Sequence, residues 1–134
     1  MPAKVSNAPI EFGVVVSDRD RSVAFYGGLL GLPYLGEIIF PLGRLWRFAI
    51  GGAVVKLIGY DDPIEARSPR GELRAVGYRY LTVQVTNIDE VVAECAGAGA
   101  PVPLPITEAA PGVRFAFVED PDGNRVELVE VGPA

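Results

Sequence analysis

The apolar positions of this chain change period several times, and each change marks an element. From Ile10 to Val16 the residues are mostly apolar and β-branched, which predicts a strand. Alternation puts Phe12, Val14 and Val16 on one face and Glu11, Gly13 and Val15 on the other. Val23, Tyr26 and Leu30 then recur at helical spacing, predicting a helix over roughly 19–30. Asp18 is its N-cap, and Gly31 and Pro33 stop it. Gly27 and Gly28 weaken that helix by about 1 kcal/mol each relative to alanine. Three short strands follow near 35–40, 44–50 and 53–59, and the charged stretch from Asp61 to Val76 reads as a linker. The pattern then restarts with a strand over Tyr78–Val85, on which Leu81, Val83 and Val85 face inward and Tyr80, Thr82 and Gln84 outward. Asn87 caps a second helix, with Glu90 completing a capping box; it carries Val91, Val92 and Cys95 inward and ends near Gly99. Pro101 to Pro111 reads as a proline-rich loop, and strands near 113–118 and 124–130 close the chain.

The restart is a repeat. The run from Val16 to Ala24 returns in chemical outline as Val85 to Ala93, 69 residues later. Arg47-Phe48-Ala49-Ile50 is answered by Arg114-Phe115-Ala116-Phe117, and Val55-Lys56-Leu57 by Val126-Glu127-Leu128. The offset grows from 67 to 71 at a turn, where Gly51-Gly52 is replaced by Glu119-Asp120-Pro121-Asp122-Gly123. Two units are too few for a solenoid. They predict a duplicated β-α-β-β-β module with a pseudo-twofold axis, and a site where matching positions meet. The fold class expected is α+β, in one domain over 1–134: repeat one about 9–60, linker 61–77, repeat two about 78–131.

Composition narrows the function. A chain of 134 residues with 49% apolar and 22% charged residues has an ordinary globular core. The net charge of −5 argues against nucleic acid as a partner and favours a neutral or cationic ligand. The single cysteine, Cys95, excludes an internal disulfide and points to the cytoplasm; on the inward face of a helix it reads as core. Neither a signal peptide nor a membrane span is expected, since the apolar stretch around 48–59 is broken by Lys56 and glycines. Histidine is absent, which removes the commonest general base and metal ligand near neutral pH. Proton transfer would then fall to carboxylates, Lys, Tyr or Cys95.

A strand ending in Val16-Ser17-Asp18, a helix with Ala24-Phe25-Tyr26 and Leu30-Gly31-Leu32, and the run Phe117-Val118-Glu119-Asp120-Pro121-Asp122-Gly123-Asn124-Arg125-Val126-Glu127-Leu128 together resemble the glyoxalase / bleomycin-resistance / extradiol-dioxygenase superfamily, also called vicinal oxygen chelate. The likeness covers about residues 10–130. It implies curved mixed sheets that enclose a cup, with helices on the outer faces. Metal-dependent members of that family hold an ion with one residue from the first strand and one from the last strand of each half. Those positions fall here on Glu11, Lys56, Tyr80 and Glu127. A lysine ammonium has no lone pair to offer a metal, so no cofactor is favoured. Lys56 would instead stand among Glu11 and Glu127 as a substitute for the cation.

The leading expectation is therefore a bleomycin-resistance-like protein whose cup binds a small, partly aromatic molecule without a transition metal. Lys56, Tyr80, Gln84, Arg47, Trp46 and Arg114 are its candidate ligand contacts; Phe48, Ile50, Phe115 and Phe117 read as core, and Trp46 reads equally as core. The alternative is an enzyme, a lyase, isomerase or epimerase, using Glu127 and Glu11 as base or as ligands of a weak divalent metal. The resemblance also implies a homodimer.

Overall fold

The computed structural model describes residues 2–67 and 74–132. Repeat one contributes β1 (Glu11–Val15), α1 (Arg19–Val23) with a π-helical continuation (Ala24–Leu29), β2 (Tyr34–Phe40), β3 (Gly43–Ile50) and β4 (Ala53–Tyr60). Repeat two contributes β5 (Tyr80–Gln84), α2 (Ile88–Gly97), β6 (Leu104–Ala110), β7 (Val113–Glu119) and β8 (Arg125–Val131). Each set forms its own four-stranded sheet, in the orders β1-β4-β3-β2 and β5-β8-β7-β6, and the sheets do not close on one another. Only β1–β4 and β5–β8 are parallel pairs, so both sheets are mixed and the fold is α+β. Part of the expected linker, 68–73, lies outside the described residues.

Three local differences from the sequence reading have physical causes. The first helix is α-helical for only five residues. Asp18 does cap it, accepting from the Arg21 N–H at 3.0 Å. Beyond Val23 the turns widen, so that Leu30 N–H donates to Phe25 O, five residues back, at 2.9 Å. This presents the consecutive Phe25 and Tyr26 to the core together and seats Gly27 on Phe48, where a Cβ would stand 3.0 Å from the ring. The second helix lacks the expected capping box: Asn87 bonds the Glu90 side chain instead. Its Ile88 N–H is taken at 3.0 Å by Glu130 of β8, a carboxylate well placed for the positive end of a helix. Finally, the proline-rich 101–111 stretch is not all loop. Leu104–Ala110 forms the edge strand β6, where Pro105 is tolerated because one row of N–H groups faces no neighbour.

One apolar core spans both repeats, with Val14, Phe25, Trp46, Phe48 and Leu57 from the first and Val83, Ile88, Cys95, Val118 and Leu128 from the second. The halves are latched through the longer turn of repeat two. Asp120, 2% exposed, accepts hydrogen bonds from the Tyr26 hydroxyl (2.8 Å), the backbone N–H groups of Asp122 (3.0 Å) and Asn124 (2.8 Å), and the Asn124 amide (2.9 Å). Gly123 closes that turn at a positive φ of 86°, which favours glycine. Two residues on, Asp122 accepts from the Ser17 hydroxyl and backbone N–H and from Arg67. Burial, reinforced by Asp120, pushes the Tyr26 hydroxyl well above its ordinary pKa. Partial burial opposes the charge on Asp122, yet the Ser17 and Arg67 hydrogen bonds hold its carboxyl below the usual range.

Tyr26→Phe is expected to lower unfolding free energy by about 1.5–3 kcal/mol, the range for a hydrogen bond to a charged group. Asp120→Ala strands four donors at once and is expected to cost more, about 3–5 kcal/mol. Urea denaturation of both variants checks the order. Because Asp122 has a depressed folded pKa, its stabilisation is present above the unfolded value and is lost as pH falls through the folded one. Ser17→Ala should therefore shrink the stability difference between pH 7 and pH values below about 4. An unchanged acid limb in that variant would contradict the latch.

Candidate functional site

The face of each sheet turned away from the helices carries the candidate site, and strand register decides what stands on it. In the first sheet Gly13 of β1 pairs with Lys56 of β4, Lys56 with Arg47 of β3, and Arg47 with Gly36 of β2. One row thus reads Gly, Lys, Arg, Gly across four strands. Lys56 and Arg47 are half-buried on the open face. In the second sheet the matching row is Thr82, Glu127, Phe117 and Leu104. The Thr82 hydroxyl donates to Glu127 Oε1 at 2.8 Å. Tyr80 packs edge-on against Phe117 (5.1 Å between centroids), and Phe117 against Phe115 (6.3 Å). Gln84 is exposed on the same strand face as Tyr80 and Thr82.

Arg114, an expected ligand contact, faces the wrong way for a cup, and Trp46 takes the core half of its two readings. Trp46 pairs with Leu57, is 6% exposed and lies under α1, with the Arg19 guanidinium 5.6 Å from its ring centre. A Cβ at residue 59 would come within 2.6 Å of that indole, so Gly59 makes room for it. Arg114 is also on the helix side, bridging Asp89 of α2 (2.9 Å) and Glu130 (2.7 Å). Its hydrogen bond to Arg114, with a second from Ile88 N–H, holds the Glu130 carboxyl below its ordinary value. Conversely Phe115, expected in the core, stands half-buried on the open face, while Phe117 shares that face by register but is buried, at 5% exposure, as expected. The cause is register. Arg47 faces Lys56 and Phe117 faces Glu127, so Phe117, not Arg114, is the structural mate of Arg47. The matched tetrapeptides are out of step by three residues, and an odd slip inverts every side chain. The two-residue turn at Gly51-Gly52, pairing Ile50 with Ala53, would have set Arg47 opposite Lys56 from sequence alone.

Nor does Lys56 stand among the carboxylates. Glu11 pairs with Val54, one row away, and Glu127 belongs to the other sheet. Neither forms an ion pair with Lys56 among the described residues. Between the sheets runs a crevice of about 560 Å³. It is lined by Val15, Tyr26, Tyr60, Tyr80, Arg67 and Asp122 among others, so Tyr80 is the one predicted site residue that borders it. Cys95 is buried on the inward side of α2; burial, with Glu94 nearby, raises its thiol pKa.

The family model of the Glyoxalase/Bleomycin resistance protein/Dioxygenase superfamily matches residues 9–128. The chain belongs to this superfamily. It is 31% identical over 120 residues to the uncharacterized protein YaeR of Escherichia coli (strain K12), covering 87% of this chain and 91% of YaeR. A glyoxalase family protein from Bacillus cereus superposes with a TM-score of 0.86 at 18% identity, covering 99% of this chain and all of that one. The trypanothione-dependent glyoxalase I of Leishmania major gives a TM-score of 0.72 at 24% identity, over 90% of this chain and 84% of that enzyme. At those identities the two structures speak to fold.

The residues at the superfamily's metal positions do not fit a transition metal. Lys56 offers no lone pair and has a second cation beside it. Among the described residues no three His, Cys, Asp or Glu side chains converge as a ligand set. Since Lys56 has a like charge as its cross-strand neighbour and no counter-ion among the described residues, removing it relieves repulsion and strands no described partner. Lys56→Met is expected to change stability by no more than about 0.5 kcal/mol, with a flat profile from pH 4 to 7. Chemical denaturation across that pH range is the check.

Proposed function

We propose that this superfamily member binds a small, partly aromatic molecule on the open faces of its sheets without using a transition metal. The observation that carries the reading is the aromatic wall of exposed Tyr80 and half-buried Phe115, both packed edge-on against the buried Phe117. Such a wall accepts a flat apolar ligand by edge-on and stacked contacts, and Tyr80, 47% exposed, is free to lie against one. The donor set around Lys56 favours a metal-free mode. Exposed Ile38, Ile39, Tyr60 and Val131 on or beside the sheets favour a homodimer that covers part of this apolar surface. No helix among the described residues is long and apolar enough to cross a membrane. A cytoplasmic working place rests on the lone, buried Cys95.

Titration with the neutral aromatic dye N-phenyl-1-naphthylamine tests the reading. Saturable binding is expected, weakened roughly tenfold in Tyr80→Ala, as for loss of an aromatic contact and its buried area. Purified protein should carry no stoichiometric Zn, Ni, Fe or Mn; a full equivalent lost on Glu127→Ala would sink the metal-free mode. Sedimentation should give a mass near twice the single-chain 14.3 kDa.

One observation favours a second reading, catalysis. Thr82 holds Oε1 of Glu127 and leaves Oε2 without a partner among the described residues, which is how a general base is oriented. In that case Glu127→Gln would abolish turnover while leaving dye binding intact.

A further inference from the structure

We propose that the ligand of this site is an organic anion, a carboxylate, sulfonate or phosphate joined to an apolar body, and that Arg47 and Lys56 hold its charged group. The inference deepens the binding reading above and rests on it. Arg47 and Lys56 are directly opposite across β3 and β4, so their stems rise side by side about 5 Å apart. Both are half-buried, and neither has an ion pair or hydrogen bond to a side chain among the described residues. Two like charges brought together without a counter-ion are unfavourable in the folded chain, and a bound anion removes the penalty. Arg adds a planar fork that takes two oxygens at once, while Lys supplies a point charge beside it.

The surroundings select what carries the anion. Gly13 and Gly36 end the row on either side, so no side chain of β1 or β2 in that row stands over the cations. A Cβ at residue 36 would meet nothing within 4 Å, which leaves that flank open. The neighbouring rows on the same face are apolar on β3 and β4, Val54 with Ala49 on one side and Ile58 with Leu45 on the other, although Glu11 of β1 ends the first of them. The nearest acid by register is Glu11, exposed and one row away on β1. A cation pair set in an apolar field favours an amphiphilic anion over a bare inorganic one, because the apolar part contributes burial that a small hydrated ion lacks. The acidic balance of the whole chain had suggested a neutral or cationic ligand, but this row is locally cationic.

The test pairs two dyes that differ by one anionic group: 1-anilinonaphthalene-8-sulfonate and neutral N-phenyl-1-naphthylamine, each titrated into the full chain. The sulfonate is expected to bind at least about tenfold more tightly, the size of one charge-assisted contact. Its affinity should fall as salt rises. In the double variant Arg47→Gln, Lys56→Gln that preference should vanish, while the neutral dye binds within about twofold of its original affinity. The neutral dye also reports that the variant is folded. If the neutral dye binds and the sulfonate gains nothing, the anion site is wrong and the binding reading stands. If neither dye saturates, the binding reading itself fails. If the double variant keeps the preference for the sulfonate, or turns monomeric without losing it, Arg47 and Lys56 serve something other than this ligand and the proposal is overturned.

Discussion

Asp120 is the contact on which the two-repeat architecture turns. A nearly inaccessible carboxylate is tolerated only when its oxygens are filled, and here four donors fill them. Three come from its own turn, and the fourth, the Tyr26 hydroxyl, comes from the π-helical segment of the other repeat. That arrangement fixes the turn before β8 and the angle at which the first helix meets the second half. With Ser17 and Arg67 on Asp122, the same five-residue turn touches the end of β1, the first helix and the segment after β4. The crevice between the sheets is bordered by Ser17, Tyr26, Arg67 and Asp122, so its shape depends on the latch.

The latch also breaks the internal symmetry usefully. Repeat one closes β3 onto β4 with two glycines, and repeat two spends the extra residues of its turn on reaching its neighbour. In the sequence this is visible only as a change of offset, which says that something was inserted and not what it grips. The strand and helix positions were legible because alternation and helical spacing are local. The inward faces of β1 and β5 came out as read for the same reason, Val14 and Val83 being buried and Val15 and Gln84 not.

What escaped the sequence depended on relations between strands. Matching Arg47 to Arg114 by residue type was reasonable chemistry, but faces are set by register, and the true mate differs by an odd number of residues. Arg114 therefore moved to the helix side and Phe115 to the open face, while Trp46, which read equally as core, is core. Lys56 lost its expected carboxylate neighbours for a related reason: Glu11 and Lys56 lie on adjacent strands but not in one row. The π-turn and the edge strand through Pro105 escaped because tertiary packing and edge position override local preference.

The two open faces end up chemically unlike despite their shared ancestry of pattern. One presents a cation pair between apolar rows; the other presents a carboxylate pinned by a threonine, with an aromatic ladder beside it. Net charge does not foresee this, because several of the chain's acids are committed elsewhere: Asp120 and Asp122 to the latch, Asp89 and Glu130 to Arg114, Glu37 to Arg44. Charges more than about 10 Å away are largely screened at ordinary ionic strength, so a ligand at the sheet feels the row beneath it more than the chain's total. The same two features that disqualify the site as a metal centre, the lysine and its arginine neighbour, are what give it a preference of its own.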